Sequence, residues 1–398
     1  MHILFWVDKF PLLSETFIRD QIISVVAHNH KVTIHTKNRK INTSELNALT
    51  GFEKYNLQDK VVPIDVLFPR KKWKRILRFS QIILQNIFSK NLKYYVKTLD
   101  VKSFNAEAKS LQLFFKTHFL LKNKVEIIHA HFGPNGQDAT VFKKIGLPIK
   151  LFTTFHGYDI RLAEKKGGEI YTDLFAFADG IFSISNYNTT SLLHFGAPKN
   201  KILPLSNGVD VSFFKRETPL IKTDKIKILT VARLVAEKDL SVAIHAVSKA
   251  IEKYPNIEYH IIGEGEARNT LQNKIDALGL SSQIKLLGAK NSTQVRDAMV
   301  SSHLFLLSSK AEALPTVLLE AQAAGLVVLA TNVGSVKDMV KSGVVVQSEN
   351  TAAFTTGLLS LLDKQSDWLA SSALGSTYIT ENYSITKQAN TLLEYYKK

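Results

Sequence analysis

The sequence predicts an α/β protein built of two domains. Short apolar runs such as His2–Val7 and Glu258–Ile262 alternate with segments of helical character, as expected for parallel strands joined by helices. The length of 398 residues corresponds to two domains of ordinary size, and a hydrophobic content of 45% is enough for packed cores. The most informative unit is a strand, a short loop and a helix at residues 303–325.

In this unit, His303–Leu307 is an apolar strand and Thr316–Ala324 is a helix-forming run. Pro315 suits the first helical position, because its missing N–H costs nothing there. No Ser, Thr, Asn or Asp immediately precedes Pro315 to cap the helix. We therefore expect the first N–H groups of the helix to be open to an anion.

Two glutamates flank the start of this helix. Glu312 lies in the loop and Glu320 in the second turn, and the helix rises about 7.5 Å between Pro315 and Glu320. That rise is similar to the span from the diphosphate to the ribose of a nucleotide. An ordinary strand–helix unit with two solvated glutamates explains the spacing equally well.

The stretch Ser308–Gly325 strongly resembles the signature of retaining glycosyltransferases of family GT4. The resemblance implies a GT-B fold, in which two facing Rossmann-like domains hold a nucleotide sugar between them. It also implies that Glu320 holds the ribose hydroxyls and that Glu312 contacts the transferred sugar. The usual glycine after the first glutamate is Ala313 here. Three further residues of the implied donor site are Leu314, Pro315 and Thr316.

Composition narrows the range of partners. The net charge of +16 favours anionic partners such as phosphorylated substrates, anionic lipid or nucleic acid. The absence of cysteine excludes disulfides and thiolate metal sites, and it suits a reducing cytoplasm. No run of about 18 apolar residues is present to span a membrane. Met1–Val7 gives way at once to charge, which indicates a first strand and not a signal peptide.

The resemblance also implies the domain organisation. We expect an acceptor-binding domain at 1–205, a nucleotide-sugar-binding domain at 206–375 and a C-terminal helix at 376–398 that returns to the first domain. Asn207–Asp210 reads N-G-V-D, which matches the family's interdomain linker. Because Asn-Gly is a common turn dipeptide, a purely structural role for this segment stays open.

The loop after the first strand is a candidate ligand site, because α/β folds bind ligands at strand ends. Ser14, Glu15 and Thr16 follow it and begin a helix predicted over Ser14–His28. The pattern F-P-x-x-S-E-T-F resembles a subset of exopolysaccharide enzymes. Backbone N–H groups of these three residues would then meet donor phosphate or acceptor, although a plain helix cap by Ser14 or Thr16 remains an alternative.

Two later strands of the first half end in histidine. Leu151–Asp159 is predicted as a strand with His156 near its end, and the H-G-Y-D sequence resembles the family's loop that faces the transferred sugar. His129 and His131 end the strand Glu126–Phe132, but no third metal ligand stands nearby. Ser185, at the tip of another strand, is interpreted as a helix cap.

The second half begins with a strand followed by R-L-V-A-E-K. Its cations Arg233 and Lys238 match the family's R-L-x-x-x-K, which implies that both grip the diphosphate; without that context they would be solvated loop residues. Gly263, Gly265 and Gly288 resemble turns beside the nucleotide. Ser335 replaces a glycine that the family often has, and we expect this departure not to touch the main motifs.

The segment 69–99 has no carboxylate and carries a concentrated basic cluster. Its apolar residues Ile76, Phe79, Ile83 and Ile87 recur at helical spacing. Such a helix is typical of an interfacial membrane segment, although a surface helix with solvated charges and a core-facing apolar side also fits. The residues that we expect to contact anionic lipid are Arg70, Lys71, Lys72, Trp73, Lys74, Arg75 and Arg78.

The family resemblance, together with the basic segment, therefore implies a cytoplasmic enzyme of surface polysaccharide biosynthesis, peripheral at the inner membrane face, that moves a hexose from a UDP- or GDP-sugar to a lipid-linked or other saccharide acceptor. No Asp-x-Asp motif is present to hold a metal-bound diphosphate, so we expect no metal cofactor. The resemblance implies retention of configuration, with the leaving phosphate accepting the acceptor's proton. The alternatives are a same-fold enzyme such as a sugar-nucleotide epimerase, and a basic nucleic-acid-binding protein, for which no recognised motif is found.

Overall fold

A computed structural model describes residues 1–12, 15–37, 53–217 and 225–398 of the chain. Within these residues, the first half contains seven parallel strands in the order β3-β2-β1-β4-β5-β6-β7. The bounds are β1 His2–Val7, β2 Lys31–Thr36, β3 Val61–Pro63, β4 Ile127–His131, β5 Lys150–Phe155, β6 Gly180–Ser183 and β7 Ile202–Pro204.

The second half contains a six-stranded parallel sheet, again counted over the described residues, in the order β10-β9-β8-β11-β12-β13. Its strands are β8 Ile226–Val231, β9 Ile257–Ile262, β10 Ile284–Leu286, β11 Leu304–Leu307, β12 Val327–Thr331 and β13 Gly343–Val346.

Helices connect the strands of both sheets. In the first half they are α1 Thr16–Ala27, α2 Lys72–Gln85, α3 Leu92–Lys97, α4 Val101–Lys109, α5 Gln112–Lys122, α6 Gly133–Ile145, α7 Gly157–Lys166, α8 Thr172–Phe177, α9 Asn186–His194 and α10 Val211–Phe214. In the second half they are α11 Leu240–Lys253, α12 Arg268–Ala277, α13 Ser292–Val300, α14 Thr316–Ala323, α15 Val336–Met339, α16 Thr351–Asp363 and α17 Trp368–Tyr383, and α18 Ile385–Lys397 ends the chain.

The central strands of each sheet are buried on both faces, which is why they are mostly apolar. In β1, Phe5 packs with Ile22 of α1 on one face, whereas Leu4 packs with Phe142 of α6 on the other. Successive side chains of a strand point to opposite faces, so a strand that is covered on both faces carries apolar residues in succession and not only at alternate positions. The predicted fold of two Rossmann-like halves with parallel sheets is confirmed.

The last helix returns to the first half. Leu392 and Tyr396 of α18 lie in the same core as β1, and Lys150 donates to the Tyr396 carbonyl at 3.0 Å. Helix α17 instead packs on the second half, where Trp368 and Ile379 are buried. The crossing therefore lies at Ser384, whereas the predicted start of the returning segment, residue 376, falls inside α17.

The two chain crossings between the halves pair with each other. Val209 of the N-G-V-D segment donates to the Tyr383 carbonyl at 2.8 Å and accepts from Ile385 N–H at 2.9 Å. A Cβ built on Gly208 would lie 2.8 Å from the Ile385 Cα, so this close approach requires glycine. The segment thus has the structural role that the sequence left open.

No helix within the described ranges is both long and apolar enough to cross a bilayer.

Candidate active site

The strand order locates the ligand site in each sheet. Ligands in parallel sheets bind beyond the carboxyl ends of the strands, where the strand order reverses. This point lies between β1 and β4 in the first half, and between β8 and β11 in the second. The loops after β8 and β11 carry Arg233, Lys238 and Glu312, so the topology brings the predicted donor residues together.

Lys238 and Glu312 form an ion pair at the centre of this site. The Lys238 Nζ and Glu312 Oε1 lie 2.5 Å apart, and their side chains are only 18% and 11% exposed. The Ser309 hydroxyl donates to the same carboxylate oxygen at 2.7 Å, and Ser308 donates to the Lys238 carbonyl at 3.0 Å. Sequence reasoning assigned the two charged residues separate roles and did not predict this pairing.

Arg233 differs from Lys238 in its surroundings. It is exposed, and within the described part of the chain its side chain makes no hydrogen bond or ion pair. A guanidinium in this position can bind phosphate oxygens through two parallel hydrogen bonds without first breaking an internal contact.

The predicted nucleotide-side glycines hold the Arg233 loop in place. A Cβ on Gly263 would lie 1.9 Å from the Ala232 carbonyl oxygen, and one on Gly265 would lie 2.3 Å from that of Leu234. Gly263 also donates to the carbonyl of Gly288 at 2.9 Å. In this structure, these glycines therefore permit close backbone packing against the loop after β8.

The start of α14 is uncapped, as the sequence predicts. Among the residues that the structure describes, no side chain caps its first N–H groups. Pro315, however, is the residue before the helix and not its first residue, because its ψ of 99° is extended and Thr316 begins the helix. Leu314 and Pro315 are buried, and Leu314 packs in a core formed mainly by the second half.

Ser335 contacts the glutamate loop directly, so the expectation that this departure leaves the main motifs untouched is wrong. Its hydroxyl donates to the Ala313 carbonyl at 2.6 Å and its N–H donates to the same oxygen at 3.1 Å. The neighbouring Gly334 approaches so closely that a Cβ would lie 2.1 Å from the Glu312 carbonyl oxygen. The loop after β12 thus fixes the backbone that carries Glu312.

Glu320 faces the first half of the molecule. Burial raises its pKa to about 7, with a further contribution from the Asp20 carboxylate and an opposing one from Arg19. Arg19 donates to Asp20 at 2.6 Å on α1, and its Nη1 is buried without a partner among the described residues. The predicted ribose-binding glutamate therefore lies beside a charged pair of the opposite half, which the sequence did not reveal.

The loop after β1 is described only in part, and Ser14 lies outside the described residues. Glu15 precedes α1 without making a side-chain cap, and Thr16 is the first helical residue, so Thr16 does not cap the helix. Burial raises the pKa of Glu15 to about 7, assisted by Asp8 and opposed by Lys9. A carboxyl group that titrates near neutrality thus stands at the switch point of the first sheet.

His156 is the residue that precedes α7, because β5 ends at Phe155 and the helix begins at Gly157; the prediction that the strand continues to Asp159 is wrong. The buried Asp159 carboxylate accepts from His156 N–H at 3.0 Å and from Gly133 N–H at 2.9 Å. Burial raises its pKa to about 7, and these hydrogen bonds oppose the rise. Asp159 thereby ties the loop after β5 to the loop after β4.

The His156 loop meets the glutamate loop across the two halves. A Cβ built on Gly157 would lie 2.9 Å from the Ala313 Cβ, so the loops after β5 and β11 approach closely. This contact places His156 and Glu312 on loops that touch. Ser185 caps α9 by accepting from Asn188 N–H at 3.2 Å, as interpreted from the sequence.

The sequence assigned no role to His131, which contacts His156. Its Nδ1 lies 3.2 Å from the His156 Nε2, and the two rings are stacked. The only sequence signal was the His-x-His alternation in β4, which places both side chains on one face of a strand. Among the described residues, no group of three potential metal ligands is found, and the expectation of metal independence stays a prediction.

The basic segment forms α2 and the turn before it. Lys71, Lys72, Trp73, Lys74 and Arg78 are exposed, as is Arg70. Arg75 is different: it donates to the carbonyls of Pro69 and Ser110, and its guanidinium packs on Phe68. Arg75 therefore faces its own domain and does not belong to a lipid-contacting surface.

The buried side of α2 also differs from the predicted stripe. Ile82 is fully buried and Phe79 and Ile83 pack beside it, whereas Ile76 and Ile87 are exposed. A second apolar face remains open to solvent and includes Trp73, Leu77, Leu84 and, just after the helix, Phe88. The segment thus has one apolar face in the core and another on the surface.

Comparison with known proteins defines the class of protein. Residues 14–213 match the family model described as Glycosyltransferase Family 4, and residues 211–372 match Glycosyl transferases group 1. The chain therefore belongs to the glycosyltransferase family that these two models describe, one for each half. It is a glycosyltransferase with a GT-B fold.

Particular relatives match over most of their length. WcaL of Escherichia coli K12, named for colanic acid biosynthesis, is 30% identical over 387 residues, which is 93% of each chain. AmsK of Erwinia amylovora, an amylovoran biosynthesis glycosyltransferase, is 28% identical over 363 residues, 86% of each chain. The crystal structure of Anabaena Alr3699/HepE in complex with UDP has the same fold, with a TM-score of 0.73, 13% identity and 99% of each chain covered.

Proposed function

We propose that this glycosyltransferase moves a hexose from a nucleotide-diphosphate sugar to a lipid-linked saccharide acceptor, with retention of configuration, during synthesis of a surface polysaccharide. The observation that carries the proposal is the meeting of Arg233, Lys238 and Glu312 at the switch point of the second sheet, opposite His156. The names of WcaL and AmsK support the pathway class. The HepE complexes with UDP and UDP-glucose support a nucleotide-sugar donor.

The donor diphosphate would lie between the loop after β8 and the start of α14. Arg233 supplies a free guanidinium, Lys238 supplies a second cation, and the uncapped helix presents unpaired N–H groups. As the glycosidic bond breaks, negative charge develops on the leaving nucleoside diphosphate. Cations fixed where that charge develops lower the barrier, because they bind the transition state more strongly than the ground state.

The same groups would do the work of a divalent metal, so we propose metal-independent transfer. The bond from the anomeric carbon to phosphate breaks while the bond to the acceptor oxygen forms on the same face of the sugar. The acceptor's proton passes to the departing phosphate oxygen. No side-chain nucleophile is needed for retention by this route, in contrast to a retaining glycosidase with two paired carboxylates.

The first experiment is thermal stabilisation by a panel of UDP- and GDP-sugars in the presence of EDTA. One nucleotide should raise the melting temperature of the wild type and leave Lys238→Ala unchanged, because a ligand stabilises only a fold that binds it. The matched control is Lys249→Ala, since Lys249 is an exposed lysine of α11. An inverted anomeric product, determined by NMR, would contradict the retaining mechanism.

We further propose that α2 docks on an anionic membrane and brings the site to its lipid-linked acceptor. Its open apolar face includes Leu84, 69% exposed, and Phe88, 99% exposed. The basic cluster stands at the helix's N-terminal end, and no carboxylate occurs from Val66 to Leu99. This combination of apolar anchors and cations without acids matches the chemistry of an anionic bilayer surface.

Flotation with anionic vesicles tests this docking. Neutralising Lys71, Lys72, Lys74 and Arg78 to glutamine should weaken binding by about 1 kcal/mol for each side chain. Replacing Leu77 and Leu84 with serine should also weaken it, because both lie on the exposed face. The control neutralises four exposed lysines of the second half: Lys249, Lys285, Lys337 and Lys364. Equal flotation of all variants would contradict the proposal.

A further inference from the structure

Three buried histidines form a stack in the first half. His129 and His131 alternate along β4 and so share one face of the sheet, and His156 follows the neighbouring strand β5. The ring centroids of His129 and His131 are 4.8 Å apart, and those of His131 and His156 are 5.5 Å apart, with interplanar angles of 17° and 15°. The stack leads from the core to the loop that touches the glutamate loop.

The hydrogen bonds divide the stack into two parts. His129 uses both ring nitrogens, with the Tyr396 hydroxyl at 2.5 Å and the Thr154 hydroxyl at 2.7 Å. His131 and His156 share one contact of 3.2 Å between Nδ1 and Nε2. Within the described residues, the remaining nitrogens of this pair, His131 Nε2 and His156 Nδ1, are buried and have no partner.

The protonation states of His131 and His156 are linked through that contact. Burial lowers the pKa of His156 to about 3, and burial, with contributions from His129 and His156, lowers the pKa of His131 well below its usual range. Both rings are therefore neutral at pH 7, and each carries one N–H and one lone pair. Since one ring must donate and the other accept, the tautomer of one fixes the tautomer of the other.

The position of His156 before α7 determines the direction of this hydrogen bond. The positive end of the helix dipole favours an unprotonated nitrogen, and so an acceptor, on the residue that precedes a helix. An acceptor at Nδ1 places the His156 proton on Nε2, which then donates to the His131 Nδ1. The rings of Phe17 and Phe132, each with its centroid 4.8 Å from that of His156, hold its orientation.

We propose that His131 is a positioning residue, which holds His156 in the Nε2-protonated tautomer so that Nδ1 accepts a hydrogen bond from a hydroxyl of the transferred sugar. This inference rests on the proposed function, because it requires His156 to face that sugar. It extends that function, because the buried His131 decides whether the His156 nitrogen that meets the sugar donates or accepts the hydrogen bond.

The tautomer can be measured without any activity. In wild-type protein labelled with ¹⁵N-histidine, two-bond ¹H–¹⁵N correlation spectra should show His156 protonated at Nε2 and unprotonated at Nδ1. A His156→Gln variant assigns the signals among the twelve histidines. Protonation of His156 at Nδ1 in the wild type would overturn the proposal.

Two substitutions separate positioning from packing. His131→Phe keeps a ring in the stack but removes the hydrogen bond, whereas His131→Asn loses the ring but keeps a polar group near the Nδ1 position. We expect His131→Phe to lower kcat about 10- to 100-fold, since small errors of alignment have effects of this size. UDP affinity should be unchanged, because UDP carries no transferred sugar, and His131→Asn should recover most of the rate.

Wild-type kcat in His131→Phe, or equal losses in both variants, would contradict the positioning role. His156→Ala separates this failure from failure of the proposed function. If that variant transfers sugar at the wild-type rate, His156 does not contact the sugar and the assignment of the site is at fault. The tautomer measured in the wild type remains valid in either case.

Discussion

The Lys238 ammonium and the Glu312 carboxylate lie 2.5 Å apart, which joins the cation expected to bind phosphate to the acid expected to contact sugar. Ser309 also donates to this carboxylate, so Glu312 is held by two partners. A nucleoside diphosphate that engages Lys238 has to compete with Glu312 for the same ammonium. The ion pair therefore sets part of the donor affinity.

Removing the carboxylate should reveal this competition. We expect Glu312→Gln to bind UDP at least about fivefold more tightly, because this ion pair is largely shielded from solvent and contributes more than the roughly 1 kcal/mol of an exposed pair. Lys238→Ala should weaken UDP binding and lower kcat by roughly 100-fold, as does the loss of one group that stabilises developing charge. Calorimetric titration with UDP checks the first effect, and weaker binding by Glu312→Gln would contradict the competition.

Replacing Ser335 should affect both the stability of the protein and the binding of the donor. Ser335→Ala removes the hydroxyl that donates to the Ala313 carbonyl, and we expect the free energy of unfolding to fall by about 1 kcal/mol. The donor KM should rise as well, because this hydrogen bond positions the glutamate loop. Urea denaturation and donor kinetics provide the measurements. The control is Ser301→Ala, which removes an exposed hydroxyl that bonds within its own helix end.

Gly263 should tolerate no side chain. A Cβ would lie 1.9 Å from the Ala232 carbonyl, and the φ of +142° adds backbone strain, so Gly263→Ala should destabilise the protein by about 2 kcal/mol. It should also displace the Arg233 loop and weaken UDP binding. Gly279→Ala is the matched control, because Gly279 has a positive φ but nothing within 4 Å of a built Cβ. Equal destabilisation by both substitutions would show that the close contact is unimportant.

Glu320 should make stability depend on pH. Because burial raises its pKa from 4.5 to about 7, the folded state binds more protons than the unfolded state between these values. The contribution of Glu320 to the free energy of unfolding is fully present below about pH 4.5 and is lost as the pH rises through 7. Glu320→Gln should therefore gain stability relative to the wild type as the pH rises from about 4.5 to 7. Urea denaturation across this range tests the trend, with the exposed Glu349→Gln as control.

Much of the fold is determined locally. Apolar runs such as His2–Val7 form strands because both faces of a parallel sheet are buried, and the start of α14 lacks a cap because the residue before it, Pro315, has no side-chain acceptor. The family motifs are also local features, and the resemblance that they carry implies the two halves. Such patterns depend on neighbouring residues in the chain, so the sequence alone predicts them.

Side-chain partners distant in sequence were decided only by tertiary structure. Lys238 and Glu312 meet because β8 and β11 are adjacent at the switch point, and Glu320 lies beside Arg19 because the two halves face each other. Likewise, α2 has an exposed apolar face because its core contacts use Ile82 and its neighbours, which helical periodicity alone could not distinguish. Sequence by itself determined the elements and the chemistry available, whereas long-range packing decided which charges, rings and faces meet.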